Sequence, residues 1–554
     1  MSLFANFRSA YLYWVMLVYL VGGTLYMASL VPIYPDEIAD RITYSRWLTD
    51  GYGVNLTLPA CTQTQHVAIP YSWAPNRLLS NLVFNQVGRL SHLRYYGMGV
   101  FVAFVSLMLL YQRRFWPEQF ADKGLLVLLV LASGLLPFLL SLARPESQVM
   151  LHLVGLMWLS RARAHWQWRL FLFVVLAASF FSLHAKAILF FPLLAVLAFQ
   201  IREGSQQRWV GAATTLLLAG FGLESYLFWK SFFSCPEAQY AHNVLAGHFV
   251  DPALLLSQPV QFLQEVFASL LNLTQYFSHL AVEDNYQAYW LPSTVGDGNI
   301  LVKVLLFFSL AVLVLGAVSL PFAALKGAGE PLWKQLDWWR VLALLGVLLG
   351  FSIINKTKNF YDSATFFALA LLLFCEGLPL LRQTWQKTCL RVLLLLFLPT
   401  ALLSFALNLA TFPNKWKQVL PSASQPQAAL DMNQVDAGIA HAVETCDLGA
   451  PENNRRLIVD DRTFLYFRHS QDPMLITYFA WSIGPDPDFY RKTLELMAYY
   501  EPSGIILQCG TIHHTLQGKF LKFLRRMPDG LCCMSGRRLR GFYRHIDETL
   551  AKDP

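Results

Sequence analysis

The feature that most restricts this chain is a succession of apolar runs, each long enough or nearly long enough to cross a bilayer. A spanning helix needs about 20 predominantly apolar residues. Eleven such segments lie near 9–31, 93–112, 123–142, 146–160, 169–184, 186–201, 208–231, 300–322, 338–354, 361–381 and 389–412. In hydrocarbon every backbone N–H and C=O must be satisfied within the segment, so runs of this length are helices. Of the 554 residues, 55% are hydrophobic and 14% are charged, against about 25% charged in a soluble domain. The expectation is a polytopic α-helical membrane protein. The first run carries no cleavage pattern and is too long for a signal-peptide core, so it reads as a retained anchor.

Lysine and arginine set the orientation. With the N-terminus cytoplasmic, the inner loops carry Arg113, Arg114 and Lys123, then Arg161, Arg163 and Arg169, then Arg202 and Arg208. Further on come Lys326, Lys334 and Arg340, and last Arg382, Lys387 and Arg391. The outer loop 231–300 has no Lys or Arg. The net charge of +8 therefore belongs to short loops and gives no reason to expect nucleic acid. A cytoplasmic (inner) membrane location follows, with membrane lipids as partners.

Three pieces lie on the outer side: loop 32–92, loop 232–299, and a tail after residue 412. Residues 1–412 read as the membrane domain. Residues 413–554 read as a periplasmic α/β domain, because Leu457–Asp460 and Gly504–Gln508 are β-rich and 489–500 has helical periodicity. Asp460 and Asp461 follow the first of these strands and read as a turn or cap. Six cysteines fall on the outer side, at 61, 235, 446, 509, 532 and 533. Disulfides there are permitted. Pairs 61–235 and 446–509 are one option; unpaired buried thiols are the other.

The stretch Tyr34-Pro35-Asp36-Glu37 follows directly on the first run. Pro35 suits the first turn of a new helix. Ile38, Ile42, Trp47 and Leu48 then recur at helical spacing, as in a helix lying along a membrane surface. A second amphipathic segment runs from about Arg77 to Leu90. An acidic pair alone also suits a helix N-terminus electrostatically.

An acidic pair after the first span, followed by a surface helix, resembles the first external loop of the GT-C glycosyltransferases. Within that class the pattern is similar to the aminoarabinose transferases of lipid A and to the protein O-mannosyltransferases. The resemblance implies a GT-C-like bundle that moves a sugar from a polyprenyl phosphate donor to a lipid, glycan or protein acceptor, with inversion. It makes Asp36 the general base. It makes Glu37 a catalytic partner that orients the acceptor or, as in some relatives, helps hold a divalent cation. Such relatives use their outer tails to cover the site or to recognise the acceptor.

The leaving group in that chemistry is a phosphate, which needs cations at the membrane face. Arg144 and Glu146 close the third run on the outer side, against the positive-inside trend. His184 and Lys186 stand between the fifth and sixth runs. Lys356, Lys358 and Tyr361 stand between the ninth and tenth. Arg77 lies among the aromatics Tyr71 and Trp73. Each group also has a bland reading, as an interfacial pair, a snorkelling lysine or an anchor. A transporter or flippase of lipid-linked sugars is the rival class, as is an O-antigen ligase or polymerase. The apparently uninterrupted spans speak against a transporter.

Overall fold

The computed structural model describes residues 2–30, 37, 90–117, 120–201, 207–233, 247–281, 299–327, 336–419 and 432–449. In the carboxyl-terminal region it describes 457–460, 463, 466–467, 474–475, 502–509, 524–528 and 530–539. Asp36, Arg77 and the surface helices expected in loop 32–92 lie outside the described residues, as do 489–500, Asp461, Cys61 and Cys235.

The membrane part is a helical bundle. In chain order it contains α1 (Ser2–Leu30), α2 (Leu90–Phe115), α3 (Phe120–Leu131), α4 (Leu136–Leu140), α5 (Pro145–Arg161), α6 (Trp166–Leu183), α7 (Phe191–Gln200) and α8 (Gln207–Phe233). The outer loop 232–299 supplies α9 (Leu254–Ser257), α10 (Pro259–Leu271) and α11 (Thr274–Ala281). Then come α12 (Ile300–Gly327), α13 (Leu336–Ile354), α14 (Phe360–Gly377) and α15 (Gln383–Val419). Among the described residues, eight helices are long and apolar enough to cross a membrane. Three of the eleven runs take another form. Residues 146–160 form the 17-residue α5. Residues 186–201 begin as a 3-10 turn, Ala185–Phe190, and continue from Phe191 as the ten-residue α7.

The run 123–142 corrects the expectation of uninterrupted spans. It breaks after Leu131 and resumes as the five-residue α4. Gly134 sits in the break with φ 57°, a left-handed conformation that suits glycine. Its N–H donates to Ser404 Oγ at 2.9 Å, and its carbonyl accepts from Asn408 Nδ2 at 2.9 Å. Both partners sit on α15, so the freed backbone groups find partners inside protein. Hydropathy alone does not reveal such a break, because the residues flanking Gly134 are all apolar or small.

Helix α14 runs through the middle of the bundle and is buried over almost its whole length. Its leucines and phenylalanines share one apolar core with α3, α5, α12 and α13. Each of its ends carries a buried carboxylate. At the carboxyl end, Glu376 accepts from Arg340 Nε at 2.7 Å, and Arg161 lies 3.7 Å away. Arg340 also donates to Asp337 at 2.7 Å and to Gln200 at 3.3 Å.

The carboxyl-terminal region forms α16 (Met432–Thr445) and a five-stranded sheet in the order β2-β1-β3-β5-β4. The strands are β1 (Leu457–Val459), β2 (Met474–Leu475), β3 (Gly504–Gln508), β4 (Arg525–Arg526) and β5 (Leu531–Ser535). β1 pairs in parallel with β2 and β3, and β5 pairs antiparallel with β3 and β4. Asp460 is a turn residue, accepting from Thr463 N–H at 3.0 Å and Gln508 N–H at 2.6 Å. Among the described residues the disulfides are Cys446–Cys533 and Cys509–Cys532, which corrects the 446–509 pairing. Successive residues of a strand face opposite sides of a sheet. The adjacent cysteines of β5 therefore reach two different partners.

Two outcomes follow from this architecture. A Cβ at Gly134 would sit 2.7 Å from the Leu280 carbonyl oxygen, in addition to the positive φ. Gly134→Val should cost roughly 1–3 kcal/mol and lower the melting temperature of purified protein. Gly346→Ala, where a Cβ meets nothing within 4 Å, should not. Peptide mapping without reductant should recover Cys446 with Cys533 and Cys509 with Cys532.

Candidate active site

At the amino-terminal ends of α5 and α14 two buried ion pairs come together. The first is made by a local turn. Arg144 is the extended residue before Pro145, with φ −111° and ψ 160°, and proline at the first position starts α5. Arg144 Nε and Nη2 donate to the two carboxylate oxygens of Glu146 at 3.0 and 3.2 Å. The guanidinium lies 3.9 Å from the centre of the Tyr361 ring. The turn 141–144 presses against α2 at Gly97, where a Cβ would come within 2.3 Å of the Ser141 carbonyl oxygen. Only glycine allows that approach.

The second pair joins distant parts of the chain. Lys186 Nζ donates to both oxygens of Asp362, at 2.6 and 2.8 Å. Asp362 is 0% exposed. Asn355 Nδ2 donates to Asp362 at 3.2 Å and to the Tyr276 hydroxyl at 3.3 Å. His184 precedes the 3-10 turn, and its Nδ1 accepts the Lys186 N–H at 3.0 Å. Glu146, His184, Lys186 and Asp362 line one small cavity with Phe190, Phe351 and Thr365. Thr365 Oγ1 is buried there without a hydrogen-bond partner among the described residues.

The remaining expected residues do other things. Glu37 is buried. One of its oxygens accepts from Arg94 at 2.9 Å and the other from the Ala143 N–H at 2.7 Å. It thus fastens the start of the loop after α1 beside Arg144, with both carboxylate oxygens engaged. Lys358 and Lys356, expected as phosphate ligands, do not reach the cavity. Lys358 is 1% exposed and donates to Ser269 Oγ and to the carbonyls of Ser352 and Asn355. It caps the carboxyl end of α13, where carbonyls and the helix dipole favour a cation. Desolvation pushes its ammonium down to about 8, partly offset by Asp362. Lys356 pairs with Glu265 of α10 at 2.8 Å.

Sequence reasoning missed Asp362, Asn355, Tyr276 and Thr365. Asp362 left a signal, being an acidic residue at the start of an otherwise apolar run. Among the described residues, no three His, Cys, Asp or Glu side chains gather as a metal site.

In fold, the chain is similar to solved GT-C membrane enzymes. One is an archaeal oligosaccharyltransferase, AglB from Archaeoglobus fulgidus, in complex with an inhibitory peptide and a dolichol-phosphate. It is 11% identical with a TM-score of 0.38, over 93% of this chain and 73% of that one. Another is ArnT from Cupriavidus metallidurans in the apo state, 13% identical with a TM-score of 0.40, over 94% of this chain and 98% of that one. The same ArnT bound to undecaprenyl phosphate gives 11% and 0.38, over 94% and 97%. No family model and no characterised sequence matches the chain.

The site generates a pH dependence. Desolvation, with the Lys186 ammonium adding to it and Glu146 opposing, pushes the His184 imidazole down to about 3. Its folded value lies below its unfolded one, so protonation opposes folding. The stability it lends is whole above a pH of about 6.5 and is lost as pH falls from there toward about 3. Between roughly pH 7 and pH 5, His184→Asn, which still offers an acceptor to the Lys186 N–H, should lose less melting temperature than the wild type.

Proposed function

We propose that the protein is a membrane glycosyltransferase that moves a sugar from a polyprenyl phosphate to a lipid, glycan or protein acceptor. One observation carries this reading. Lys186, held by Asp362, lines one cavity at the helix ends together with Glu146, whose carboxylate holds Arg144 beside it. A lipid-anchored phosphate can present its headgroup only at that depth, and cations held in a poorly solvated place stabilise a phosphate leaving group strongly. The Arg144 guanidinium offers a planar fork of donors. The lysine offers a point charge fixed by Asp362.

In the proposed reaction the acceptor hydroxyl oxygen attacks the anomeric carbon. Its proton passes to the Asp36 carboxylate, the bond from that carbon to the phosphate oxygen breaks, and polyprenyl phosphate leaves. The configuration inverts. Asp36 is proposed from the sequence pattern, supported by the attachment of its neighbour Glu37 to Ala143, beside Arg144. Arg77 is proposed as a donor contact on the same sequence grounds. Arg161 and Arg340 sit at the opposite ends of α5 and α14, in keeping with a cytoplasmic face there. The cavity and the disulfide-bonded sheet domain would then face the periplasm.

The broken α3–α4 segment favours a second reading, a transporter of lipid-linked sugars, since such proteins interrupt helices beside their sites. Purified protein incubated with a polyprenyl phosphate sugar separates the two. A transferase releases polyprenyl phosphate in solution, whereas a transporter only moves the intact lipid across a vesicle membrane.

Asp36→Asn should abolish release while leaving the melting temperature unchanged; retained release would remove Asp36 as base. Lys186→Met leaves Asp362 buried without its cation and should cost roughly 3–5 kcal/mol. Adding Asp362→Leu should restore most of that stability, because an apolar pair replaces an ion pair well. Transfer should stay lost in the double variant. Recovered transfer would mean that the pair serves only the fold.

A further inference from the structure

The outer segment 247–281 carries a helix with three unlike faces. Residues of an α-helix advance by about 100° each. On α10 this puts Val260, Leu263, Phe267 and Leu271 on one stripe, and all four are exposed, Val260 at 69% and the others at 63%. Gln261 and Ala268 are exposed about a quarter turn away, and Gln264 stands at the edge of the stripe. Phe262, Val266 and Ser269 face the other way, and Ser269 is buried. Leu256 in the preceding α9 is 91% exposed.

This inverts the order of a soluble helix, which hides its leucines and shows its serines. The buried serine has a definite task. Ser269 Oγ lies within hydrogen-bonding distance of the Ser352, Ile353 and Asn355 carbonyls, and it accepts from Lys358 Nζ. Those carbonyls mark where α13 ends, which is where a crossing helix leaves hydrocarbon. The uncharged stripe is accompanied by apolar residues on the crossing helices themselves. Leu349 of α13 is exposed, as are Ile300, Leu301 and Val304 at the start of α12, against which α11 packs. Protein on one side, the exposed Gln261 and Ala268 on a second and a bare apolar stripe on a third fit a boundary of three phases.

We propose that α10 lies in the interfacial layer of the bilayer, with Val260, Leu263, Phe267 and Leu271 in acyl chains, Gln264 at the boundary, and Gln261 and Ala268 toward water. Seated there, it fixes the turn 355–358, whose Asn355 holds Asp362. The inference stands apart from the proposed sugar transfer, because a transporter with this structure would need the same seat.

The test uses the full chain in nanodiscs of zwitterionic phospholipid. Single cysteines at positions 260 to 271 receive a nitroxide, with Cys61→Ser, Cys235→Ser and Cys389→Ala as background and Cys375 left buried. Collision with oxygen reports lipid, and collision with a water-soluble nickel chelate reports water. The ratio of the two should oscillate with a period of about 3.6 residues. It should be highest at 260, 263, 267 and 271, intermediate at 264 and lowest at 261 and 268. Nickel access at the stripe would overturn the proposal in favour of a solvated loop. Shielding from both reagents would overturn it in favour of cover by protein, from this chain or a second copy. A second reading comes from Leu263→Asn with Phe267→Asn. Amide exchange should then quicken across 355–358 and stay unchanged in the middle of α12. Unchanged exchange at 355–358 would break the link between the seat and Asp362.

Discussion

Everything in the membrane part depends on how α14 is held at its two ends. Asp362 and Glu376 are 14 positions apart on one buried helix, about 21 Å along its axis. Each carboxylate would be prohibitively expensive alone in that surrounding. Lys186 and Asn355 meet the first. Arg340 and Arg161 meet the second. The partners come from α13, from α5 and from the segments around α7, so the pairs fix the height of these elements against α14. Apolar packing alone is non-directional. Helices dressed in leucine can slide; helices with a buried ion pair at each end cannot slide without stranding charge.

The same constraint explains where the candidate site lies. A bundle held this tightly has one end at which cations can be collected without lipid contact, and that end is shaped by two breaks in helical regularity. The chain leaves α3 at Gly134, makes the short α4, and turns at 141–144 so that Arg144 emerges in extended form. The chain after α6 tightens into a 3-10 turn that brings Lys186 back toward α14. The first irregular piece is satisfied from α15, by Ser404 and Asn408, and the second by its own capping residue, His184. Irregular backbone at membrane depth needs such partners.

The outer segments act as fasteners more than as lids. Glu37 binds Arg94 and the Ala143 N–H, which ties the chain after α1 to the Arg144 turn. Lys356 and Lys358 tie α10 and α13 together. Charges that sequence position alone assigns to ligand binding are here spent on ending helices. Helix ends and anion sites ask for the same residue type, because both present oxygen atoms to a cation.

What the amino-acid sequence determined by itself was the class of molecule and the presence of an extra sheet near the carboxyl end. These follow from length, hydropathy and charge, which are local and additive. It also pointed to Arg144, Glu146, His184, Lys186 and Tyr361, since an ionisable residue beside an apolar run is conspicuous. Only the tertiary structure decided that Lys186 meets Asp362 across 176 positions, that Lys358 turns inward to cap α13, and that Cys446 pairs with Cys533 rather than Cys509. Pairing is a relation between two places in space. A chain that can bring many residues together at the same loop-closure cost, which grows only slowly with separation, does not announce which two will meet.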